Sequence, residues 1–123
     1  MKKTPQLVCI VDDDASLRRA LGRLVRSFGF EVELFASGRE CLDGSAIERS
    51  ACLILDVSMP GMDGFEVLAL LQASGRNVPT VLISAYDDKN YLDMARSAGA
   101  VAYLRKPCDE KLLLGAINQS LAS

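Results

Sequence analysis

The chain has 123 residues, of which 50% are hydrophobic and 24% are charged, a size and composition typical of one globular domain. Its net charge of −2 provides no basic patch for nucleic acid, and no apolar stretch approaches the roughly 20 residues of a membrane span. Without histidine or a Cys-x-x-Cys pair, the composition argues against a zinc site and against Ser-His or Cys-His nucleophiles. The N-terminus lacks the apolar core of a signal peptide, so we expect a cytoplasmic protein.

Short apolar runs alternate with helical spacing of apolar residues five times along the chain. In chain order, the predicted elements are a strand over 7–12, a helix over 15–28, a strand over 31–35, a short helix opened by Ser37 and Glu40, a strand over 51–56, a helix capped by Asp63 and Glu66, a strand over 79–83, a helix over 88–98, a strand over 101–104 and a last helix capped by Asp109. This alternation predicts a parallel, doubly wound α/β sheet. We expect residues 1–123 to form a single domain, with the alternating second strand at an edge of the sheet.

Acidic residues close two of the apolar runs. Asp12, Asp13 and Asp14 follow the first run, and Asp56 follows the third. Carboxylates at the ends of parallel strands meet at the carboxyl edge of the sheet, where α/β proteins bind ligands. Because like charges repel there, we expect a compensating hard cation with oxygen ligands. The pattern therefore indicates metal-dependent phosphate chemistry, whereas Asp14 is better placed to cap the first helix.

Four separated motifs lie at the predicted strand ends. They are Val11–Asp14, Leu55–Gly64, Ile83–Ala85 and Lys106–Pro107. In this order and at this spacing, they resemble the receiver domain of bacterial two-component response regulators over essentially the whole chain. Together with Phe35–Gly38, the Asp56 motif is similar to the FixJ branch of that family. The resemblance implies the flavodoxin-like (βα)5 fold with strand order 2-1-3-4-5.

The resemblance also implies which residues handle the phosphoryl group. Asp56 is expected to be the phosphoacceptor, since an ionised carboxylate can attack a phosphoryl group and form an acyl phosphate. Ser84 and Lys106 occupy the positions that contact phosphoryl oxygens, one through a hydroxyl and the other through a positive point charge. In this family the peptide bond between the lysine and Pro107 is typically cis, which re-aims the lysine.

A divalent cation completes the implied site. By resemblance, Asp13 binds the cation directly and Asp12 binds it through water, together with Asp56 and the backbone carbonyl of Ser58. Mg²⁺ is the expected ion, and Mn²⁺ is an alternative, because an octahedral set of carboxylate, carbonyl, phosphoryl and water oxygens suits such ions.

The resemblance further implies a conformational switch. Ser84 and Tyr103 occupy the two switch positions of the family, and they would change the surface of helix four, strand five and helix five on phosphorylation. Ser58 and Tyr86 each lie two residues after a site residue, at positions that tune the lifetime of the phosphoryl group. Tyr86 is bulky enough to shield an acyl phosphate from water.

The expected partner is a sensor histidine kinase or a phosphotransfer protein, and a small acyl phosphate is an alternative donor. Phosphorylation could produce a homodimer. We expect no membrane contact and no direct nucleic acid binding by this chain. A DNA-binding output domain would belong to a longer protein, and the sequence fits a stand-alone receiver equally well. The site is expected to hydrolyse its own phosphoryl group slowly, without being an enzyme for other substrates.

Two other classes of protein use parts of the same pattern. A haloacid-dehalogenase-like phosphatase also has a strand-end Asp nucleophile and Mg²⁺, but it expects a second Asp where this chain has Ser58, and it usually has a cap insertion for which this chain has no room. A receiver-like interaction module that is never phosphorylated is the other alternative. Failure to bind Mg²⁺ would favour that module.

Overall fold

The computed structural model describes residues 5–86 and 89–122. Five strands form one parallel sheet in the order β2-β1-β3-β4-β5. They are β1 (Leu7–Val11), β2 (Glu31–Phe35), β3 (Ser50–Asp56), β4 (Thr80–Ser84) and β5 (Ala102–Arg105). The predicted flavodoxin-like order is therefore confirmed, and each predicted strand is found within one residue of its expected bounds. The half-exposed second strand does lie at an edge.

The helices are α1 (Ala15–Ser27), α2 (Gly38–Asp43), α3 (Gly64–Ala73), α4 (Lys89–Ser97) and α5 (Glu110–Leu121). Residue 88, the predicted first residue of the fourth helix, lies outside the described residues. A 3-10 helix over Ala46–Arg49 was not predicted, because four residues are too short to show an apolar period. Within the described residues, no helix combines the length and apolar character needed to cross a membrane.

Helices cover both faces of the sheet, so the central strands are buried on both sides. Alternate residues of β1 and β3 belong to two separate apolar cores. One core includes Cys9 and Leu55 and packs against α2, α3 and α4, whereas the other includes Ile10 and Ile54 and packs against α1 and α5. Burial on both faces explains why these strands are continuous apolar runs in the sequence.

Two helix starts show how local sequence sets the fold. Asp63 accepts a hydrogen bond from the Glu66 amide at 2.9 Å, and the Glu66 carboxylate accepts from the Asp63 amide at 3.1 Å, so the predicted cap of α3 is confirmed as a capping box. Ser37 likewise caps α2 through the Glu40 amide at 3.2 Å. The Glu40 carboxylate, however, accepts from the Ala36 amide at 3.4 Å and not from the amide of the N-cap residue Ser37. The start of α2 is therefore capped by Ser37 without the return bond of a capping box.

The carboxyl edge of the sheet gathers the ends of four strands. Val11 is paired with Leu55 between β1 and β3, and β3 ends at Asp56, which is paired with Ile83 of β4. The residues that follow these pairings therefore lie side by side at one edge. They are Asp12 after β1, Asp56 at the end of β3, Ser84 at the end of β4 and Lys106 after β5.

Candidate functional site

A lysine ammonium lies between two buried carboxylates at this edge. Lys106 Nζ is 3.0 Å from Asp12 Oδ2 and 3.2 Å from Asp56 Oδ2. The Asp12 and Asp56 side chains are 0% and 2% exposed, and the Lys106 side chain is 17% exposed. Buried charges are stable only when they are paired. One positive charge faces two negative ones, so the cluster retains an excess of negative charge.

The backbone of Lys106 is held beside the end of β4. Its amide donates to the Ser84 carbonyl at 2.8 Å, which extends the pairing of β4 and β5 by one residue. The peptide bond between Lys106 and Pro107 is cis. The lysine stem therefore starts from a backbone position that is hydrogen-bonded to the neighbouring strand.

Burial changes the acidity of Asp56. Removal from water, and then the charge of Asp12, raise the pKa of Asp56 from 3.8 to about 6, although Lys106 and the Ser58 amide lower it. The Ser58 amide donates to Asp56 Oδ1 at 3.2 Å. Burial by itself lowers the pKa of Lys106, but the hydrogen bonds and charges of Asp12 and Asp56 outweigh it and raise that pKa overall. At neutral pH the lysine is therefore charged, and most Asp56 is ionised.

Three carboxylates form a group that suits a hard cation. Asp12, Asp13 and Asp56 each provide an oxygen, and these oxygens all lie within 4.8 Å of one another. Asp12 and Asp56 are buried, whereas Asp13 is exposed, so a cation can reach the group from solvent. The oxygen donors and the excess negative charge both fit a divalent ion such as Mg²⁺. The predicted acid pair and the strand-end Asp are thus together in space.

The turn after β1 holds the acid pair in place. Asp12 Oδ1 accepts from the Asp14 amide at 2.9 Å, and Asp14 in turn caps α1 by accepting from the Leu17 amide at 3.2 Å, as predicted. The Asp12 carbonyl accepts from Arg18 Nη1 at 2.7 Å. Sequence reasoning did not find Arg18, because an arginine beside others on the polar face of an amphipathic helix has no distinguishing local signal.

Ser84 and Tyr103 are both hydrogen-bonded to the backbone of Tyr86. The Tyr86 amide donates to Ser84 Oγ at 3.1 Å, and the Tyr103 hydroxyl donates to the Tyr86 carbonyl at 2.8 Å. Ser84 is fully buried, whereas Tyr103 is half-buried. The two predicted switch residues are therefore linked through one residue of the loop that follows β4.

The Tyr86 side chain contacts helix α4. Its ring lies edge-on to Tyr91, with centroids 6.2 Å apart, and Tyr91 lies 5.9 Å from Phe65 of α3. Tyr86 is nevertheless 57% exposed. Sequence reasoning considered Tyr86 only as a shield for the phosphoryl group. The contact with Tyr91 had no local signal, because it depends on how the helix packs.

Residues 8–118 match the response regulator receiver domain family, and the chain belongs to that family. The family takes part in phosphorelay signalling, which agrees with a lysine, a buried Asp and an acid pair at the carboxyl edge of a five-stranded sheet. The receiver predicted from the four motifs is thus confirmed at the level of family.

Individual relatives and structures give the same result. The response regulator protein TodT of Pseudomonas putida is 40% identical over 121 residues, which are 98% of this chain and 53% of TodT. The structure of the response regulator StyR has a TM-score of 0.88 with 42% identity and covers 97% of this chain and 60% of that chain. FixJ-N has a TM-score of 0.89 with 29% identity, and covers 98% of this chain and 96% of that chain. The chain spans about half the length of TodT.

Proposed function

We propose that this chain is a phosphoacceptor in a two-component phosphorelay, with Asp56 receiving the phosphoryl group. The observation that supports this most strongly is the position of Lys106, whose ammonium lies within 3.2 Å of carboxylate oxygens of both Asp12 and Asp56. An ammonium beside the acceptor oxygen is already close to the place where phosphoryl charge would develop.

Asp12, Asp13 and Asp56 are the residues that would hold Mg²⁺, or Mn²⁺ in its place, and the carbonyl of Ser58 is a further oxygen ligand. A bound Mg²⁺ supplies positive charge that lowers the repulsion between these carboxylates and an anionic phosphoryl group. The solvent-facing Asp13 would be the first of these ligands that an ion from solution meets.

The chemistry proposed for Asp56 is a single displacement at phosphorus. A carboxylate oxygen of Asp56 forms a bond to phosphorus while the P–N bond of a phosphohistidine breaks, and the imidazole nitrogen of the donor keeps the electron pair. With a small acyl phosphate, the broken bond is P–O and a carboxylate leaves. Because the transition state is loose, alignment and charge neutralisation contribute most of the rate.

Lys106 and Ser84 would then neutralise phosphoryl oxygens. Lys106 Nζ would exchange its contact with Asp56 for a phosphoryl oxygen attached to the same side chain, which requires little movement from 3.2 Å. Ser84 Oγ accepts from the Tyr86 amide, which leaves its own hydrogen to donate. Hydrolysis of the acyl phosphate by water returns Asp56 to the carboxylate, at a rate that Ser58 and Tyr86 modulate. On this proposal, the protein would be a phosphoacceptor with slow autophosphatase activity and not an enzyme for other substrates.

The signal would leave the site through Ser84. When its hydroxyl turns toward the phosphoryl group, its bond to Tyr86 changes, and the Tyr103 hydroxyl on the other side of Tyr86 responds. The surface that would change is α4, β5 and α5, which a partner or a second copy of the chain could recognise in a homodimer. The donor would be a sensor histidine kinase or a phosphotransfer protein. The chain spans 51% of TdiR of Thauera aromatica, which is a transcriptional regulatory protein, and a DNA-binding output domain in a longer protein is therefore part of this proposal.

The test is phosphorylation with a small donor, followed by intact mass. The protein is incubated with Mg²⁺ and either acetyl phosphate or phosphoramidate, whose P–N bond resembles that of phosphohistidine. We expect a gain of one phosphoryl group, and we expect it to disappear in Asp56→Asn and in EDTA. The matched control is Asp93→Asn, which removes an exposed carboxylate from α4 and should leave the gain intact.

Two results would contradict the proposal. A gain that persists in Asp56→Asn would place the phosphoryl group on another residue. No gain with either donor, together with no Mg²⁺ binding, would instead identify the receiver-like module that is never phosphorylated.

A further inference from the structure

Arg18 reaches back from helix α1 to the turn that holds the acid pair. Its Nη1 donates to the backbone carbonyl of Asp12 at 2.7 Å, although the two residues are six positions apart. Arg18 is half-buried, whereas its neighbour Arg19 is exposed. A short bond from a charged donor to a partly buried carbonyl is stronger than a bond between neutral groups.

Asp12 is held at each of its polar groups. Its amide donates to the Phe35 carbonyl at 3.1 Å, its Oδ1 accepts from the Asp14 amide, and its Oδ2 lies 3.0 Å from Lys106 Nζ. The bond from Arg18 to the carbonyl completes this set. Of the first three contacts, the bond from the Asp14 amide spans the peptide unit between Asp12 and Asp13, but it ends on the flexible Asp12 side chain. The Arg18 bond is made directly to an atom of that peptide unit.

That peptide unit determines where Asp13 lies. The Asp12 carbonyl and the Asp13 amide belong to one planar group, so the direction of the carbonyl sets the direction of the chain at Asp13. Within residues 5–86 and 89–122, the Asp13 carboxylate has no described hydrogen bond or ion pair of its own. The position of this carboxylate within 4.8 Å of the other two therefore depends on the backbone of the turn, which Arg18 and the Asp14 amide hold together.

We infer that Arg18 is a positioning residue for the cation site, which holds the Asp12–Asp13 peptide in the orientation that brings the Asp13 carboxylate to the metal. This inference rests on the proposed function, because it concerns the same cation. It concerns a residue that lies outside the carboxylate cluster and would not touch the metal.

The positive charge of Arg18 and its positioning bond should change Mg²⁺ affinity in opposite directions. A guanidinium near a cation site repels the cation, so loss of that charge alone should tighten Mg²⁺ binding. Loss of a positioning bond should weaken it. Changes to residues that orient metal ligands typically cost about 10- to 100-fold in metal affinity. The two explanations of Arg18 thus predict opposite results for Arg18→Ala.

The experiment measures the Kd for Mg²⁺ by isothermal titration calorimetry on the unphosphorylated full chain. We expect Arg18→Ala to weaken binding about tenfold, and Arg18→Lys, which keeps a charged donor, to weaken it less. Arg19→Ala removes the adjacent, exposed charge and should change the Kd less than twofold. The Asp14 amide donates to the Asp12 side chain within the turn that Arg18 holds. In metal-free protein, hydrogen exchange at this amide should therefore accelerate in Arg18→Ala and not in Arg19→Ala.

Mg²⁺ titration of the wild type and the variants tests the positioning role of Arg18 separately from the proposed cation site. If the wild-type chain binds Mg²⁺ and Arg18→Ala binds it equally or more tightly, the positioning role is wrong and the proposed function stands. An equal loss in Arg18→Ala and Arg19→Ala also overturns the role, since a general effect on α1 would then explain both. If the wild-type chain binds no Mg²⁺, both the proposed cation site and the role of Arg18 in positioning it are contradicted.

Discussion

Ser84 and Tyr103 are joined through the backbone of one residue between them, since Tyr86 donates its amide to Ser84 Oγ and accepts from the Tyr103 hydroxyl at its carbonyl. The path from a buried hydroxyl in the site to a half-exposed ring on an edge strand is thus two hydrogen bonds long. A change in either bond therefore changes the constraints on the loop after β4.

Tyr103→Phe should loosen this loop without removing the ring. It deletes the bond to the Tyr86 carbonyl, and a hydrogen bond of this kind contributes about 1 kcal/mol net. We expect amide exchange at Tyr86 to accelerate about fivefold, measured by NMR in metal-free protein. Tyr91→Phe is the matched control, because its hydroxyl has no described hydrogen bond and its ring contacts remain. Equal exchange at Tyr86 in wild type and Tyr103→Phe would show that the hydroxyl does not hold the loop.

The raised pKa of Asp56 makes stability depend on pH in a definite direction. The folded carboxyl has a pKa of about 6, compared with an ordinary value of 3.8. Between these values the folded state binds the proton more strongly than the unfolded state, so the free energy of unfolding falls as pH rises through the window. Ionised Asp56 therefore destabilises the metal-free fold at pH 7, by at most about 3 kcal/mol, since one pKa unit corresponds to about 1.4 kcal/mol.

Asp56→Asn removes this penalty. In EDTA at pH 7, we expect the variant to be more stable than wild type by about 1 to 3 kcal/mol in urea denaturation. At about pH 4 the two proteins should have nearly equal stability, because the wild-type carboxyl is then protonated in the folded state. A difference that is the same at both pH values would mean that ionisation of Asp56 is not its cause.

The sequence predicted the fold and the grouping of the acidic residues at one sheet edge because both follow from short local patterns. Apolar runs define β1 and β3, and acidic residues at their ends must meet once the strands are parallel neighbours. The contacts that the sequence did not predict run between elements. Arg18 returns to the preceding turn, and Tyr86 packs on Tyr91, in each case through a side-chain direction that tertiary packing decides. No periodicity or spacing encodes those directions.

Lys106→Met should destabilise the metal-free protein because it leaves Asp12 and Asp56 buried without a positive partner. Breaking a buried pair costs about 3 to 5 kcal/mol. Because Lys106 is partly exposed, we expect the free energy of unfolding to fall by about 3 kcal/mol at pH 7. Millimolar Mg²⁺ should recover more stability in the variant than in wild type, because a bound cation would compensate the same carboxylates.

The control for this variant is Lys111→Met, which removes an exposed lysine from α5 and should change stability by less than about 0.5 kcal/mol. Both are measured by urea denaturation with EDTA and with Mg²⁺. If Lys106→Met loses no more stability than Lys111→Met, the lysine does not balance the buried carboxylates.

Gly64 keeps the start of α3 against the strand that ends at Asp56. A Cβ at this position would lie 2.5 Å from the Asp56 carbonyl oxygen and 2.9 Å from Val57 Cα, and neither backbone atom can move away as a side chain could. Gly64→Ala should therefore destabilise the protein by about 1 to 3 kcal/mol, the usual cost of overpacking. Because one of the displaced atoms is the Asp56 carbonyl oxygen, we also expect weaker Mg²⁺ binding.

Gly115→Ala makes the matched comparison, since a Cβ there meets nothing within 4 Å and the residue lies inside α5. Alanine in a helix interior is about 1 kcal/mol more favourable than glycine, so this variant should be more stable than wild type and bind Mg²⁺ unchanged. Urea denaturation and Mg²⁺ calorimetry on both variants check the pair. Opposite signs of the two stability changes would locate the effect of Gly64 in its contact with β3, whereas a stabilised Gly64→Ala would show that α3 shifts freely and that this contact does not hold the Asp56 end of the strand.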